Sequence, residues 1–482
     1  MRRLSERLAA SNPVSFAAAG TDLVLDRGAG VAERRIPAAT AAPRLMLLTS
    51  NLGMGHLRTA QAIIAAMRSR FSQPSICTLN FWSLMHSGIA DVVHDIYLRL
   101  VQQYPGLYDS MHGLDEHTWR RIFQSNEPPL QAVVDALQLI CAMCPPTLPN
   151  TTQNETYASD RIVYPILRAA LPSASGGMKS GGVLRLGVVH WMWRTLGRRM
   201  AQQIQRFAPD VIVSTQMLPA SLLSSIKHRR AWRIPSIGVL TDYGIHDFWV
   251  QQQTNHYCVA HEEIANVSAS GLPPYCMSHT GVPLMPGFAA PPSQSDARVA
   301  LGFDIDRPIV LVLGGGLGLG IESLTQQLLA LPARTQLAVL IGRNSHAEER
   351  LRNLSSQHAE RLKVLGWTDQ VEYLMRAADI VVGKPGGLTV AEVLACGRPL
   401  FATRSLGGQE GFNLRFLEQH GVGKLVAEEG LIAVIDELLQ APDRLRELQD
   451  RAWSLGRRNG AERVVEIAQR FACAPRVALG SR

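Results

Sequence analysis

No stretch of this 482-residue sequence reaches the ~18–20 uninterrupted apolar residues that cross a bilayer. A membrane-spanning helix is therefore not expected. The opening "MRRLSERLAASNPVSFAAAG" carries arginines but lacks an apolar core, so no secretory leader is expected either. Together these place the chain in the cytoplasm, at most peripheral to a membrane. Lysine is scarce: only five of the 48 basic residues are lysine, at 179, 227, 363, 384 and 424. Cysteines number seven, an odd and scattered set that argues against a disulfide framework and for a reducing compartment. Cys141 and Cys144 form a lone C-x-x-C with no second pair to complete a zinc site. No basic-aromatic repeat marks a nucleic-acid reader, and nucleic acid is not expected as a partner.

What is there is a core-forming composition, 46% hydrophobic and 18% charged, in a chain too long for one core. The formal charge of +8 suits anionic partners, either a nucleotide or phospholipid headgroups; a mildly basic solvated surface is the plainer reading.

Strand-like runs alternate with helical stretches. RLMLLTS (44–50), SICTLNFW (75–82), VIVST (211–215), SIGVLT (236–241) and HYCVA (256–260) form one series. After the first run, Leu57, Ala60, Ile64, Met67 and Phe71 recur at helical spacing. The Pro/Gly/Ser-rich "GVPLMPGFAAPPSQSD" reads as a linker, and the pattern then restarts. PIVLVL (308–313), QLAVLIG (336–342), LKVLGW (362–367), DIVVGK (379–384) and PLFAT (399–403) form the second series. The expected fold class is α/β, with two Rossmann-like doubly wound domains. Expected boundaries are a loose extension at 1–43, a first domain at 44–283, a linker at 284–296, a second domain at 297–460, and a C-terminal helix and tail at 461–482. Residues 116–200 read as a divergent helical insert. Within it "GGVLRLGVVHWMWRTLGRRM" (181–200) reads either as a membrane-interface helix or as a buried helix at a domain edge.

Three glycine loops follow strand ends: "NLGMGH" (51–56), "GGGLGLG" (314–320) and "KPGGLT" (384–389). None has the spacing of a Walker A or dinucleotide fingerprint. Glycines followed by a helix N-terminus still make an anion site, because unpaired N–H groups and the helix dipole face the ligand. Glu392 follows Thr389 at capping-box spacing; its functional alternative is to accept both hydroxyls of a ribose. "FDIDRP" (303–308) holds a D-x-D that reads as a solvated turn.

In order along the chain, "NLGMGH", "APDVIVSTQ", "VLTDYGIHDFW", "TGVPLMPGF", "LVLGGGLGLG", "IGRN", "GWTDQVEYLMRAADIVVGKPGGLTVAEVLACGRP" and "GGQEGFN" resemble the GT-B glycosyltransferases of the monogalactosyldiacylglycerol synthase and processive diacylglycerol glucosyltransferase group. That group is related to the enzyme that forms lipid II in peptidoglycan synthesis. "YLRLVQQYPGLYDSMH" (97–112) is similar to the lipid-glycosylating branch. The likeness covers about 44–115 and 205–425.

The resemblance implies a UDP-sugar site in the second domain and a lipid acceptor site in the first, facing each other across a cleft. Carried over, Glu392 binds the ribose, and Gly386, Gly387 and Thr389 bind the diphosphate. Gly315 and Gly316 line the same site, with Arg343 and Asn344 nearby. Gln409, Glu410 and Asn413 meet the sugar hydroxyls. Gly53, Gly55 and His246 lie on the acceptor side. His56 would be the general base, and Asp242 its orienter or the base itself. Helix N-termini and loop amides would stabilise the departing UDP, so neither metal nor cofactor is expected. Two departures stand out: Met54 interrupts the family's glycine triplet, and Gly407 replaces a common proline. Retaining GT-B enzymes usually place a glutamate where Lys384 stands, which favours inversion and a β-linked product.

The expected function is transfer of a hexose from a UDP-sugar to a lipid hydroxyl, with diacylglycerol as acceptor, at the anionic inner face of a bacterial membrane. Alternatives are a UDP-N-acetylglucosamine-using transferase on another lipid, a UDP-N-acetylglucosamine 2-epimerase, and a non-catalytic UDP-sugar sensor or membrane scaffold.

Overall fold

Two six-stranded parallel sheets organise the molecule. The computed structural model describes residues 42–50, 54–85, 181–246, 249–265, 267, 270–315, 320–342, 345–403 and 409–474. All of these lie within one compact unit, Pro37–Arg482. The Cys141–Cys144 pair, the 97–112 stretch and most of the 116–200 insert lie outside the described residues.

The first half holds β1 (Leu45–Thr49), α1 (Met54–Arg70), β2 (Ile76–Asn80), α2 (Gly181–Phe207), β3 (Val211–Ser214), α3 (Met217–Arg230), β4 (Ser236–Val239), β5 (His256–Val259) and β6 (Met277–His279). Its sheet runs β2-β1-β3-β4-β5-β6. Leu45 pairs with Ile76 on one side and Val211 on the other, so β1 is central. Successive side chains of a strand point to opposite faces, and here both faces are covered. Leu45, Leu47, Val211 and Val213 pack on one side; Met46, Leu48 and Ile212 pack on the other. That double burial is why these strands read as continuous apolar runs.

The second half holds α4 (Gln294–Leu301), β7 (Ile309–Leu313), α5 (Ile321–Leu328), β8 (Gln336–Leu340), α6 (Ser345–Gln357), β9 (Leu362–Leu365), α7 (Val371–Ala377), β10 (Ile380–Gly383), α8 (Gly387–Ala395), β11 (Leu400–Ala402), α9 (Gln409–Gln419), β12 (Gly423–Leu425), α10 (Glu428–Gln440) and α11 (Pro442–Leu455). The sheet order is β12-β11-β10-β7-β8-β9, the Rossmann order. The last helix, α12 (Gly460–Cys473), belongs to the other half. Its Val464, Val465, Ile467 and Ala468 pack against Leu45, Leu47, Ile63 and Met67.

Several details differ from the expectation. Strands β6 and β12 add an edge to each sheet; they read MSH and GKL and carry no apolar run. Helix α4 starts at Gln294, inside the expected linker, with Ser293 as its N-cap. The buried face of α1 is Thr59, Ala60, Ala62, Ile63, Ala66 and Met67, while Leu57 and Ile64 are only half-buried. Of the 181–200 segment, side chains from Arg194 onward are described. Leu196, Met200 and Ile204 face the core at i, i+4 spacing, and Arg194, Arg198 and Arg206 are exposed. That portion is a packed helix with a basic outer face.

In a doubly wound sheet, ligands sit beyond the carboxyl ends of the strands, where the strand order reverses. The reversals fall between β1 and β3 in the first half and between β7 and β10 in the second. Those strand ends lead into NLGMGH, the Thr215–Gln216 turn, GGGLGLG and KPGG.

Candidate active site

Helix α1 begins at Met54, inside the opening glycine loop, so His56 sits in its first turn. The His56 backbone carbonyl accepts hydrogen bonds from Thr49 Oγ1 at 3.2 Å and Thr215 Oγ1 at 3.1 Å. Two strand-end threonines thus pin the turn that carries the imidazole. His56 Nδ1 is buried and has no hydrogen-bond partner among the described residues. Burial pushes the imidazole below its usual value; attraction to Asp242 and the Thr215 backbone oppose this. The ring is therefore held neutral, the form a base requires.

Asp242 follows β4. Asn413 Nδ2 donates to its Oδ1 at 2.9 Å, and Asn413 Oδ1 accepts from the Tyr243 amide at 2.7 Å. Asn413 is fully buried. Both ends of its amide are thus engaged by the first half, which makes it a tie between the halves rather than a side chain turned to sugar hydroxyls. Burial pushes the Asp242 carboxyl up; the Asn413 hydrogen bond, His56 and Thr241 pull it back.

Helix α8 begins at Gly387, with Gly386 as its N-cap in extended backbone. Thr389 is then the third helical residue, so Thr389 and Glu392 do not form a capping box. Gly387 is buried against the first half: a Cβ there would overlap the Thr241 carbonyl and lie 2.7 Å from Asp242 Oδ1. The Asp242 carboxylate therefore sits at the N-terminus of α8, where the helix dipole favours negative charge. Gly386 and Gly315 remain open on the other side. Gly315 has φ +63°, a backbone that glycine adopts without strain, and among the described residues nothing lies within 4 Å of a Cβ there.

Glu392 lies one turn along α8. Burial pushes its carboxyl up to about 8; Arg58 lowers it and Glu372 raises it. Some of its surface still reaches solvent. Glu410, in the first turn of α9, lies 3.9 Å from Lys384 Nζ. Gln409 Nε2 points at Met217 Sδ across the halves, at 3.8 Å. His246 is half-buried in the loop after β4. Gly55 faces Leu388, with 3.7 Å between a Cβ and Leu388 Cβ. Gly53, Gly316, Arg343 and Asn344 lie outside the described residues. The D-x-D closes its own turn, the Asp306 amide donating to Asp304 Oδ1 at 2.9 Å.

The structure thus brings His56, Asp242, Gly386, Gly387, Thr389 and Glu392 to the region where the two halves meet. Sequence reasoning did not single out three of its members. Thr49 and Thr215 look like ordinary strand-end residues, and their role depends on the pairing of β1 with β3. Arg58 reads as an ordinary polar residue of the helix that follows the opening loop. It reaches the second half, its Nη1 lying 3.0 Å from Asp369 Oδ1.

Two family models match the chain. The monogalactosyldiacylglycerol (MGDG) synthase model matches residues 188–284, and the glycosyltransferase family 28 C-terminal domain matches residues 309–469. A processive diacylglycerol beta-glucosyltransferase of Bacillus pumilus is 28% identical over 273 residues, 56% of this chain and 70% of the relative. Its Bacillus subtilis counterpart is 26% identical over 273 residues, 56% and 71% of the two chains. Among solved structures, the glycotransferase of kitacinnamycin aligns with TM-score 0.51 at 14% identity, covering 89% of this chain and 99% of that one. That last likeness concerns the fold.

Proposed function

We propose, for a chain that belongs to the GT-B glycosyltransferases of the monogalactosyldiacylglycerol synthase and processive diacylglycerol glucosyltransferase group, that it transfers a hexose from a UDP-sugar to the hydroxyl of diacylglycerol with inversion. The observation that carries this reading is the His56–Asp242 pair. An imidazole that burial holds toward its neutral form, its Nδ1 without a hydrogen-bond partner among the described residues, stands near the Asp242 side chain, opposite a helix N-terminus that suits a diphosphate.

The reaction follows from these parts. The acceptor hydroxyl gives its proton to His56, and its oxygen attacks the anomeric carbon. The bond from that carbon to the diphosphate oxygen breaks, and UDP leaves as an anion. Asp242 attracts the imidazolium that forms, much as a carboxylate orients histidine elsewhere. Backbone amides near Gly315 and Gly386 would offer donors where negative charge develops on the diphosphate. Glu392, when ionised, accepts two ribose hydroxyls. No residue in this scheme requires a metal. The exposed arginines of α2 offer an anionic membrane surface a cationic face, each worth about 1 kcal/mol near such a surface.

The test incubates purified protein with diacylglycerol-containing liposomes and, in turn, UDP-glucose, UDP-galactose, UDP-N-acetylglucosamine and UDP-glucuronate, with and without chelator. Lipid mass spectrometry should detect one glycolipid class, β-linked, in both conditions. No glycolipid from any donor overturns the reading, and loss on chelation overturns the metal-free scheme.

A further inference from the structure

Helix α9 meets the first half along one face. Gln409, Phe412, Asn413 and Phe416 fall on it at i, i+3, i+4 and i+7. Phe412 lies so close to Gly244 that a Cβ there would overlap its ring, and the Phe416 and Tyr243 rings stand 4.3 Å apart, centre to centre. These aromatic contacts already join α9 to the loop after β4. Packing alone does not call for an amide between them. A buried amide costs free energy unless it is hydrogen-bonded, so the asparagine at this place is explained by what it bonds.

Asn413 bonds two successive residues of that loop. The Tyr243 backbone N–H can only donate, so it fixes the Asn413 oxygen on its side, at 2.7 Å. The Asn413 N–H then faces Asp242 Oδ1 at 2.9 Å, and that oxygen must accept. The same oxygen abuts the first residue of α8: a Cβ at Gly387 would lie 2.7 Å from it. Two helices of the second half thus box in one carboxylate oxygen of the first.

We propose that Asn413 is a positioning residue for Asp242: its amide, supplied by the second half, orients that carboxylate and holds its Oδ1 as an acceptor, so that a helix of one half completes the reacting pair of the other. The inference rests on the role given to Asp242 above. It separates Asn413 from Gln409 and Glu410 of the same GGQEGFN stretch, since its amide serves Asp242 rather than sugar hydroxyls. The bond also favours the ionised carboxyl against its burial.

The experiment measures kcat, donor KM and UDP affinity for the native chain, Asn413→Leu, Asp242→Asn, the double variant and Phe412→Leu; thermal melts verify folding. Asn413→Leu keeps a similar volume and loses both bonds. Its kcat should fall about 10–100-fold, the range for removing a group that orients a working residue, with donor KM and UDP affinity within about twofold of native. The double variant should be no slower than Asp242→Asn, because nothing is left to orient. Phe412→Leu, which trims the neighbouring contact between the halves, should keep kcat within about twofold of native. A raised donor KM, losses that multiply in the double variant, or a native kcat in Asn413→Leu overturns the inference. So does a Phe412→Leu as slow as Asn413→Leu, which would make the contact a mechanical tie.

If Asn413→Leu does not fold, the nearly isosteric Asn413→Asp takes its place. A carboxyl there donates to Asp242 only while it keeps its proton, so its kcat relative to native should fall as pH rises from about 6.5 to 9. His56 acts on Asp242, Arg457 acts on Tyr243, and His261 and His420 flank Phe416; comparison with the native chain at each pH cancels their titration. An unchanged ratio across that range overturns the inference. Native kcat in Asp242→Asn removes the role of Asp242 in the proposed reaction, and this inference with it. A slow Asp242→Asn beside a native Asn413→Leu removes only the role of Asn413.

Discussion

His56 and Asp242 are the pair on which the proposed chemistry turns, and their environments set the pH response expected of it. Burial lowers the imidazole, so it is neutral above a value that lies below the ordinary 6.5. Activity should therefore persist as pH falls to 6.5 and be lost only below it. Asp242 attraction resists that lowering. Asp242→Asn should move the acid limb of kcat further down in pH while lowering its plateau. His56→Asn should remove the limb and cost roughly 10²–10⁴ in kcat with UDP affinity unchanged, as loss of a general base does. A pH–rate profile of both variants checks this, and an unmoved acid limb in Asp242→Asn would separate the two residues. Much of this pair was legible in the sequence, because His56 and Asp242 follow strand ends in recognisable motifs. The role of Asn413 was not. Its position near the start of α9 suggests a ligand-facing polar residue, and only the way the halves meet turns it onto Asp242.

At the scale of elements, the sheets were legible because parallel strands buried on both faces read as unbroken Val/Ile/Leu runs. Edge strands β6 and β12 escaped because their residues are half-buried, exposed or small. Local pattern also placed α8 after a glycine turn. It did not show that the first residue of that helix abuts the opposite half, since no periodicity records a contact between separate sheets. That contact leads to a prediction. A Cβ at Gly387 overlaps the Thr241 carbonyl, a backbone atom that cannot swing aside. Gly387→Ala should hold the halves apart while leaving the second sheet intact. Lipid glycosylation should collapse by two orders of magnitude or more, and the radius of gyration in solution scattering should increase. A native scattering profile with native turnover would show that the halves accommodate the methyl group.

Across the whole molecule, the C-terminal helix returns to the half where the chain began. Ile467 is 3% exposed in the cluster shared by β1, α1 and α12. Ile467→Ala should cost about 2–5 kcal/mol, the range for emptying such a site, and lower the melting temperature of the first half. The loss should appear in a thermal melt without UDP. An unchanged melt would mean that α12 contributes little to that core.

The return also means that, among the described residues, the polypeptide passes between the halves twice, and the two passages touch. Gly281, with φ +88°, lies directly against Arg457, and a Cβ at Gly460 would stand 2.7 Å from the Val282 carbonyl. A single tether would let one half twist freely on the other. Two tethers packed side by side would restrict twisting of one half on the other more than a single one, and favour opening about the line they share. Every cycle would bring the same edges together, Arg58 to Asp369 and Asp242 to Asn413, whichever lipid or sugar lies between them.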